Sequence, residues 1–558
     1  MSKTWKGKQI FMETLLAEGV DKVFGNPGTT EMPLIDSLID YPQIEYILAL
    51  HEGVAVMAAD AWAQVTGKVA VANLHVGPGL GNGLGGLYNA WEGQTPLVLT
   101  AGQQDTRMRL REPLLGHDLV AMAAPLTKWS VQAESADELP AILNRAFKTA
   151  REYPSGPVFV SLPINVMEQE TTQPPLAPSH IHQASVANPA GVAEAAQLLL
   201  GAKQPIIFCG DKVGASGAVQ SLVRMAETLG ASVYNEVLPS KVNFPTNHPN
   251  YRDRGAGDYA MLRKLMAGCD VVLLVGGEFF EEVWFAEGGP LPEDAVAIQI
   301  DPSPRNIGRN FPVQCGLVGD PRATLDALLA ELDAKSDAGW RANAAQRQAA
   351  QVELKEKERG HQQKRLEAGW DNTPMSPARL MAEISQALPP NVAIAGEAIT
   401  TSPDLTRSIF FDKPGDYLAS RGGGIGQGLP SGIGMKVAFP DRPVMVISGD
   451  GSANYSMQAL WTAAHHKLPI VFVILNNRVY RILKINMNRY RETFGVNGER
   501  GYMHLDLTDP EMDYVAIAKG YGMEARRVED PAQIGDAVRE AFASGKPYLL
   551  DMVIDGTV

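Results

Sequence analysis

Residues 444–480 read VMVISGDGSANYSMQALWTAAHHKLPIVFVILNNRVY. Two β-rich apolar runs enclose a segment of helical character. The first run ends in Gly-Asp-Gly at 449–451 and the second in Asn-Asn at 476–477. Twenty-four residues lie between Gly451 and Asn476, the length of a helical crossover. The spacing therefore predicts two adjacent parallel strands with their carboxyl ends side by side. The Asp450 carboxylate, the Asn477 amide oxygen and a backbone carbonyl can converge there. Such a hard oxygen set suits Mg²⁺, which keeps few protein ligands and takes the rest from phosphates. Gly449 and Gly451 let the backbone approach phosphates, and a helix beginning near Ser452 aims its N–H groups at them. Either turn alone is ordinary; the pair at this spacing is specific.

The same texture extends in both directions. KVFGNPG, VAVANLHVGPG, PLVLTAG and PVFVSLP lie in the first third, QPIIFCG, SVYNEV, DVVLLVGG and AVAIQIDPSP in the middle, and VAIAGE and PYLLDMVI in the last. These short runs end in Gly, Pro or Asp and alternate with amphipathic segments. The fold class is α/β, with three doubly wound parallel-sheet domains. Pro- and Ser-rich residues 170–192 form one linker, and the Ala/Gln/Glu/Lys/Arg-rich residues 334–376 read as a solvated helix ending in a turn. The expected division is 1–185, 186–335, a helical linker at 336–376, and 377–558.

The 558 residues are 45% hydrophobic and carry a net charge of −14. That excludes disorder and a disulfide miniprotein, and it argues against a general nucleic-acid binder. No apolar run reaches the ~18 residues of a membrane helix. The start, MSKTWKGKQIFMETLL, lacks a signal-peptide apolar core. Cys209, Cys269 and Cys315 are odd in number and widely spaced, as expected of reduced thiols. Cytoplasmic location, with neither membrane nor nucleic-acid partners, is the expectation.

GDG, about twenty-five residues, then NN resembles the cofactor signature of thiamine-diphosphate enzymes. The resemblance implies thiamine diphosphate and Mg²⁺ as cofactors. It implies a pyrimidine-binding first domain, a central domain and a diphosphate-binding last domain. The metal ligands would be Asp450, Asn477 and the Val479 carbonyl, with Ser452 and Tyr480 at the diphosphate. In ASRGGGIGQGLPSGIG (419–434), Ile425 would hold the cofactor bent and the Gly423 carbonyl would accept from the pyrimidine amino group. In GEAITTS (396–402), Thr400 is the candidate hydroxyl for the diphosphate. Glu52, in YILALHE (46–52), matches the carboxylate that activates the pyrimidine, although a Glu opening a helix also serves as a dipole partner. Sites between chains imply a homodimer or homotetramer.

Within this superfamily the first third resembles benzoylformate decarboxylases more than acetolactate synthases. FGNPGTTEMPL (24–34), NLHVGPGLGNGLGGLYNAWEGQTPLVLTAGQQ (73–104) and PLTKWS (125–130) carry the likeness. It implies Asn26, Pro27 and Gly28 at the cofactor, Thr29 at the substrate carboxylate, and His75 as a catalytic histidine. Histidine suits proton transfer near neutral pH. Two departures stand out. The middle-domain stretch GGEFFEEVWFAEGG (276–289) lacks that family's second histidine, for which His117 in REPLLGHDL is a candidate substitute. RVYRILKINMNRYRE (478–492) replaces an aromatic wall; Arg478, Arg481 and Lys484 suit either a solvated face or a pocket for an anionic substrate. His465 and His466 read as structural. The leading expectation is non-oxidative decarboxylation of a 2-oxo acid to an aldehyde. The alternatives are an acetolactate-synthase-type carboligase, a 2-hydroxyacyl-CoA or oxalyl-CoA lyase, and a binding subunit without catalysis.

Overall fold

The computed structural model describes residues 3–498 and 500–558. They form two compact units. The first takes in the chain up to Ile181 together with Gly369–Ser408 and Leu418–Val558, and the second His182–Ala368 and Ile409–Tyr417.

The first unit holds two six-stranded sheets. One runs, in spatial order, Glu45–Leu48, Lys22–Gly25, Ala70–Leu74, Leu97–Gln103, Val158–Pro163 and Ser130–Gln132, parallel throughout. The other runs from a short edge strand ending at Ala419 through Ala393–Glu397, Val444–Gly449, Ile470–Asn476 and Tyr548–Val553 to Glu524–Val528. The four pairings from Ala393–Glu397 onward are parallel. The central strands of both sheets are buried along their length, which is why they read as continuous apolar runs.

The two sheets share a core across a helix pair, Glu52–Thr66 against Gly428–Ala438. The alanine-rich face of the first helix explains the close approach. A Cβ at Gly434 would lie 2.2 Å from the Ala58 carbonyl oxygen and 2.8 Å from the Trp62 nitrogen. Small residues on both sides let the backbones touch.

The second unit is built on a six-stranded parallel sheet ordered Tyr251–Arg254, Ser232–Asn235, Pro205–Cys209, Val271–Val275, Val296–Asp301 and Cys315–Val318. All three cysteines are buried here. The solvated helix expected in 334–376 is Ala338–Ala368, and only Ala344 and Lys355 are buried. It is not a free tether. Arg347 Nε donates to the Leu229 carbonyl, and Lys355 Nζ to the Thr246 and Tyr251 carbonyls. Among the described residues no helix is long and apolar enough to cross a membrane.

Candidate active site

Strand register brings the acidic turn and the Asn pair together. Gly449 pairs with Leu475 in parallel, so Asp450 lies one residue, and Asn477 two, beyond a paired rung. Asp450 is 3% exposed. Its carboxylate accepts the Gly451 N–H at 2.8 Å and the Arg478 N–H at 2.6 Å. Burial outweighs these amides and pushes its pKa up to about 6. A buried carboxylate bonded to backbone amides is one that a cation would hold ionised. Asn477 Oδ1 accepts from the Val479 N–H at 3.0 Å. The Val479 carbonyl accepts from the Arg481 N–H at 2.9 Å and keeps a second lone pair. Carboxylate, amide oxygen and carbonyl are the hard oxygen donors that Mg²⁺ takes, so this set fits the metal.

One expectation needs correction. The helix predicted to begin near Ser452 is broken: Asp450–Ala453 is one short turn, and a second helix starts at Gln458. Asn454 explains the interruption, because its Nδ2 donates to the Asp450 carbonyl at 2.8 Å and to Tyr514 Oη at 3.0 Å. The break leaves Tyr455 62% exposed, with its Cβ 2.7 Å from where a Cβ at Gly426 would be. Gly426 has φ +100°, a conformation side chains rarely adopt.

The Gly-rich segment leads into the helix at Gly428. Buried Glu397 sits under it, with Oε1 accepting the N–H groups of Gly426 and Gln427 (2.9 and 3.1 Å) and Oε2 that of Gly428 (3.0 Å). Burial still dominates and pushes the Glu397 carboxyl up to about 7. On the far side Ile425 is 39% exposed, and a Cβ at Gly423 would meet nothing within 4 Å. Thr400 lies half-buried in the turn Ile399–Thr401, and Ser452 is buried.

In the first sheet, Glu52 opens the helix Glu52–Thr66 and is buried. Asn82 Nδ2 donates to its Oε2 at 3.0 Å, and a Cβ at Gly79 would sit 2.8 Å from its Oε1. His75 Nδ1 lies 2.7 Å from Glu31 Oε2. Glu31 is 2% exposed and accepts from the N–H groups of Gly28 and Gly102 and from Thr30 Oγ1, each at 2.8 Å. Asn26, Pro27 and Gly28 are half-buried and lead into this cluster. Thr29 is exposed, whereas Thr30 is buried with its Oγ1 3.4 Å from His75 Nδ1. The Tyr46 hydroxyl is buried and, among the described residues, has no hydrogen-bond partner. Burial first, then the charges of Glu31 and Glu52, push its phenol well above the ordinary range.

His117 is exposed and lines an open cleft with Gln103, Arg109, Glu112 and Gln132. Its Cβ lies 3.5 Å from where a Cβ at Gly77 would be, two residues after His75. The basic segment is largely engaged by its own chain: Arg478 Nε lies 3.0 Å from Glu511 Oε1, Lys484 Nζ 2.6 Å from Asp506 Oδ1, and Arg481 Nε donates to the Thr557 carbonyl. His466 Nε2 accepts the Leu48 N–H at 2.9 Å, and His465 stacks on Trp461. Three residues with positive φ stand at the motifs. Val76 (φ 37°) follows His75, Ile399 (φ 47°) precedes Thr400, and Arg478 (φ 60°) follows Asn477. Positive φ at a β-branched residue is costly and clusters at functional sites.

The chain matches three family models in succession: the thiamine pyrophosphate enzyme N-terminal TPP binding domain over residues 5–122, the central domain over 192–328, and the C-terminal TPP binding domain over 400–552. This chain belongs to the thiamine pyrophosphate enzymes. Among these enzymes it is 34% identical to a benzoylformate decarboxylase of Pseudomonas aeruginosa, over 97% of each chain. It is 30% identical to a probable acetolactate synthase large subunit of Methanocaldococcus jannaschii, over 99% of this chain and 92% of that one. A solved 4-hydroxybenzoylformate decarboxylase of Rhodococcus jostii superposes with a TM-score of 0.84 at 28% identity, over 99% of both chains. The α/β fold with three parallel sheets is that of thiamine pyrophosphate enzymes.

Sequence reasoning missed Glu31, Asn82 and Glu397. Glu31 stood inside a quoted motif, but nothing local links it to His75. A signal for Asn82 existed: with Asn89 it is one of two amides seven residues apart on the mostly apolar, Gly-rich helix Val76–Glu92, two turns along one face.

Proposed function

We propose that this thiamine pyrophosphate enzyme decarboxylates a 2-oxo acid without oxidation, giving an aldehyde and carbon dioxide. The observation that carries this reading is the His75–Glu31 pair, an imidazole fixed at 2.7 Å by a buried carboxylate. A histidine held in that way has a set orientation and a ring nitrogen, Nε2, left for proton transfer. The similarity to a benzoylformate decarboxylase along nearly the whole chain supports it.

Mg²⁺ would be held by Asp450, Asn477 and the Val479 carbonyl. Gly449, Gly451, Ser452, Thr400 and Tyr480 would meet the diphosphate, and Asn26, Pro27 and Gly28 would border the cofactor. Gly423 and Ile425, on the open side of their loop, would take the pyrimidine through the carbonyl and the apolar wedge. When bound, thiamine diphosphate supplies the carbanion and the electron sink for carbon–carbon cleavage. Glu52 would set the protonation of the pyrimidine through a buried hydrogen bond. His75 would move protons to and from the substrate oxygen and carbon. Thr29 would position the carboxylate, and His117, near Gly77, would be a second proton carrier. The chain would act in the cytoplasm as a homodimer or homotetramer with sites between chains.

A second reading is carboligation, favoured by the relative named an acetolactate synthase. Release of carbon dioxide and aldehyde from benzoylformate, pyruvate or a branched 2-oxo acid, dependent on Mg²⁺ and thiamine diphosphate, tests the proposal.

A further inference from the structure

The Gly-rich segment 421–427 has no regular structure of its own, yet it must hold one shape if Gly423 and Ile425 are to meet a cofactor. Glu397 fixes only its end. The middle is held from the first sheet's side by Asn89, on the helix Val76–Glu92. Asn89 Nδ2 donates to the Gly424 carbonyl at 2.9 Å, and its Oδ1 accepts the Gly424 N–H at 2.8 Å. The side-chain amide thus pairs with one residue's backbone at both ends, as a neighbouring strand would. Nδ2 also donates to Gln427 Oε1 at 3.0 Å. Gln427 Nε2 in turn donates to Asp60 Oδ2 at 2.8 Å and to the Met57 carbonyl at 3.2 Å. Asn89 and Gln427 are 1% and 2% exposed, so neither faces the open side of the loop.

The fit is steric as well as polar. A Cβ at Gly422 or at Gly424 would lie 2.6 Å from Asn89 Oδ1. Both glycines therefore answer to Asn89, whereas Gly423 between them has φ +71° and open space beside it. We propose that Asn89 is a positioning residue for the cofactor: its amide is the template on which the loop sets the Gly423 carbonyl and the Ile425 wedge. This rests on the reading above that the loop receives thiamine diphosphate. Asn89 acts through Gly424 and touches no reacting atom.

The test uses full-length apoprotein titrated calorimetrically with thiamine diphosphate in saturating Mg²⁺, with hydrogen exchange of the loop amides in parallel. Asn89→Asp keeps the acceptor but loses the donor to Gly424, and it is expected to weaken binding about tenfold or more. Exchange across 422–427 should quicken, while KM for the 2-oxo acid at saturating cofactor stays near wild type. Gly424→Ala attacks the contact from the other side and should give the same loss. In Asn89→Ala/Gly424→Ala the clash is gone, so the double variant should bind no worse than Gly424→Ala alone. Wild-type affinity in Gly424→Ala, or a double variant that binds more weakly than Gly424→Ala alone, would overturn the proposal even if Asn89→Asp proved unstable. Absence of binding to the wild-type protein is a different failure: it would sink the cofactor reading itself.

Discussion

His75 Nδ1 and Glu31 Oε2 stand 2.7 Å apart, and Glu31 is enclosed by two backbone amides and a threonine hydroxyl. The histidine is thus oriented by a carboxylate that is itself fully bonded. Glu31→Gln keeps the shape but removes the charge. It should lower kcat/KM roughly 10- to 100-fold, the range for a hydrogen bond to a charged group. Thiamine diphosphate affinity should fall less than kcat/KM, because Glu31 reaches the proposed cofactor side only through the Gly28 N–H. Steady-state kinetics with calorimetry checks both; unchanged kcat/KM would refute the role of the pair.

Glu52 is buried at a helix start with Asn82 on one oxygen. Glu52→Ala should lower kcat at least ~100-fold at saturating cofactor, the scale of a lost general acid–base group. A merely structural cap would cost ~1 kcal/mol of stability and leave kcat intact. Thermal melts beside saturation kinetics separate the two outcomes.

Asp450→Asn can keep only one of the two backbone N–H contacts, because its amide nitrogen cannot accept, and it removes the only carboxylate of the proposed metal set. Cofactor affinity should lose its dependence on Mg²⁺ concentration. Titrations of the wild-type and variant apoproteins with and without Mg²⁺ test this, and a persistent Mg²⁺ dependence would place the metal elsewhere.

Glu397 offers a pH test on the apoprotein. Its carboxyl is pushed from 4.5 to about 7 by burial. Between those values the folded state holds the proton more tightly than the unfolded chain, so stability falls as pH rises from about 4.5 to 7. The full shift corresponds to roughly 3 kcal/mol. Glu397→Gln cannot titrate, so its unfolding free energy should be flatter across this window than wild type. Denaturant midpoints at several pH values measure the difference, which also cancels the other buried carboxyls. Parallel pH profiles would show that Glu397 is not held up.

The chain's strands were legible because both faces of each sheet are covered, which leaves apolar runs with polar turns at their ends. Asp450 and Asn477 were legible because a crossover of fixed length couples them. What escaped depends on contacts distant in sequence. Glu31 and His75 are 44 residues apart, and Asn89 and Gly424 are 335 apart. The broken helix after Asp450 was invisible for a similar reason. SANYS contains no proline or internal glycine, and the interruption comes from Asn454 turning back to the Asp450 carbonyl and Tyr514. The basic run after Asn477 read as an open anion pocket or a solvated face because Asp506 and Glu511, which engage Lys484 and Arg478, follow it beyond the helix Arg481–Thr493.

The most direct test of the account is a product spectrum. The full-length protein, with Mg²⁺ and thiamine diphosphate, would be given benzoylformate, pyruvate and a branched 2-oxo acid in separate tubes and followed by NMR. The account predicts aldehyde from at least one substrate, formed in step with carbon dioxide and reduced by His75→Ala. Hydroxy-ketone as the sole product, or turnover indifferent to His75, would contradict it.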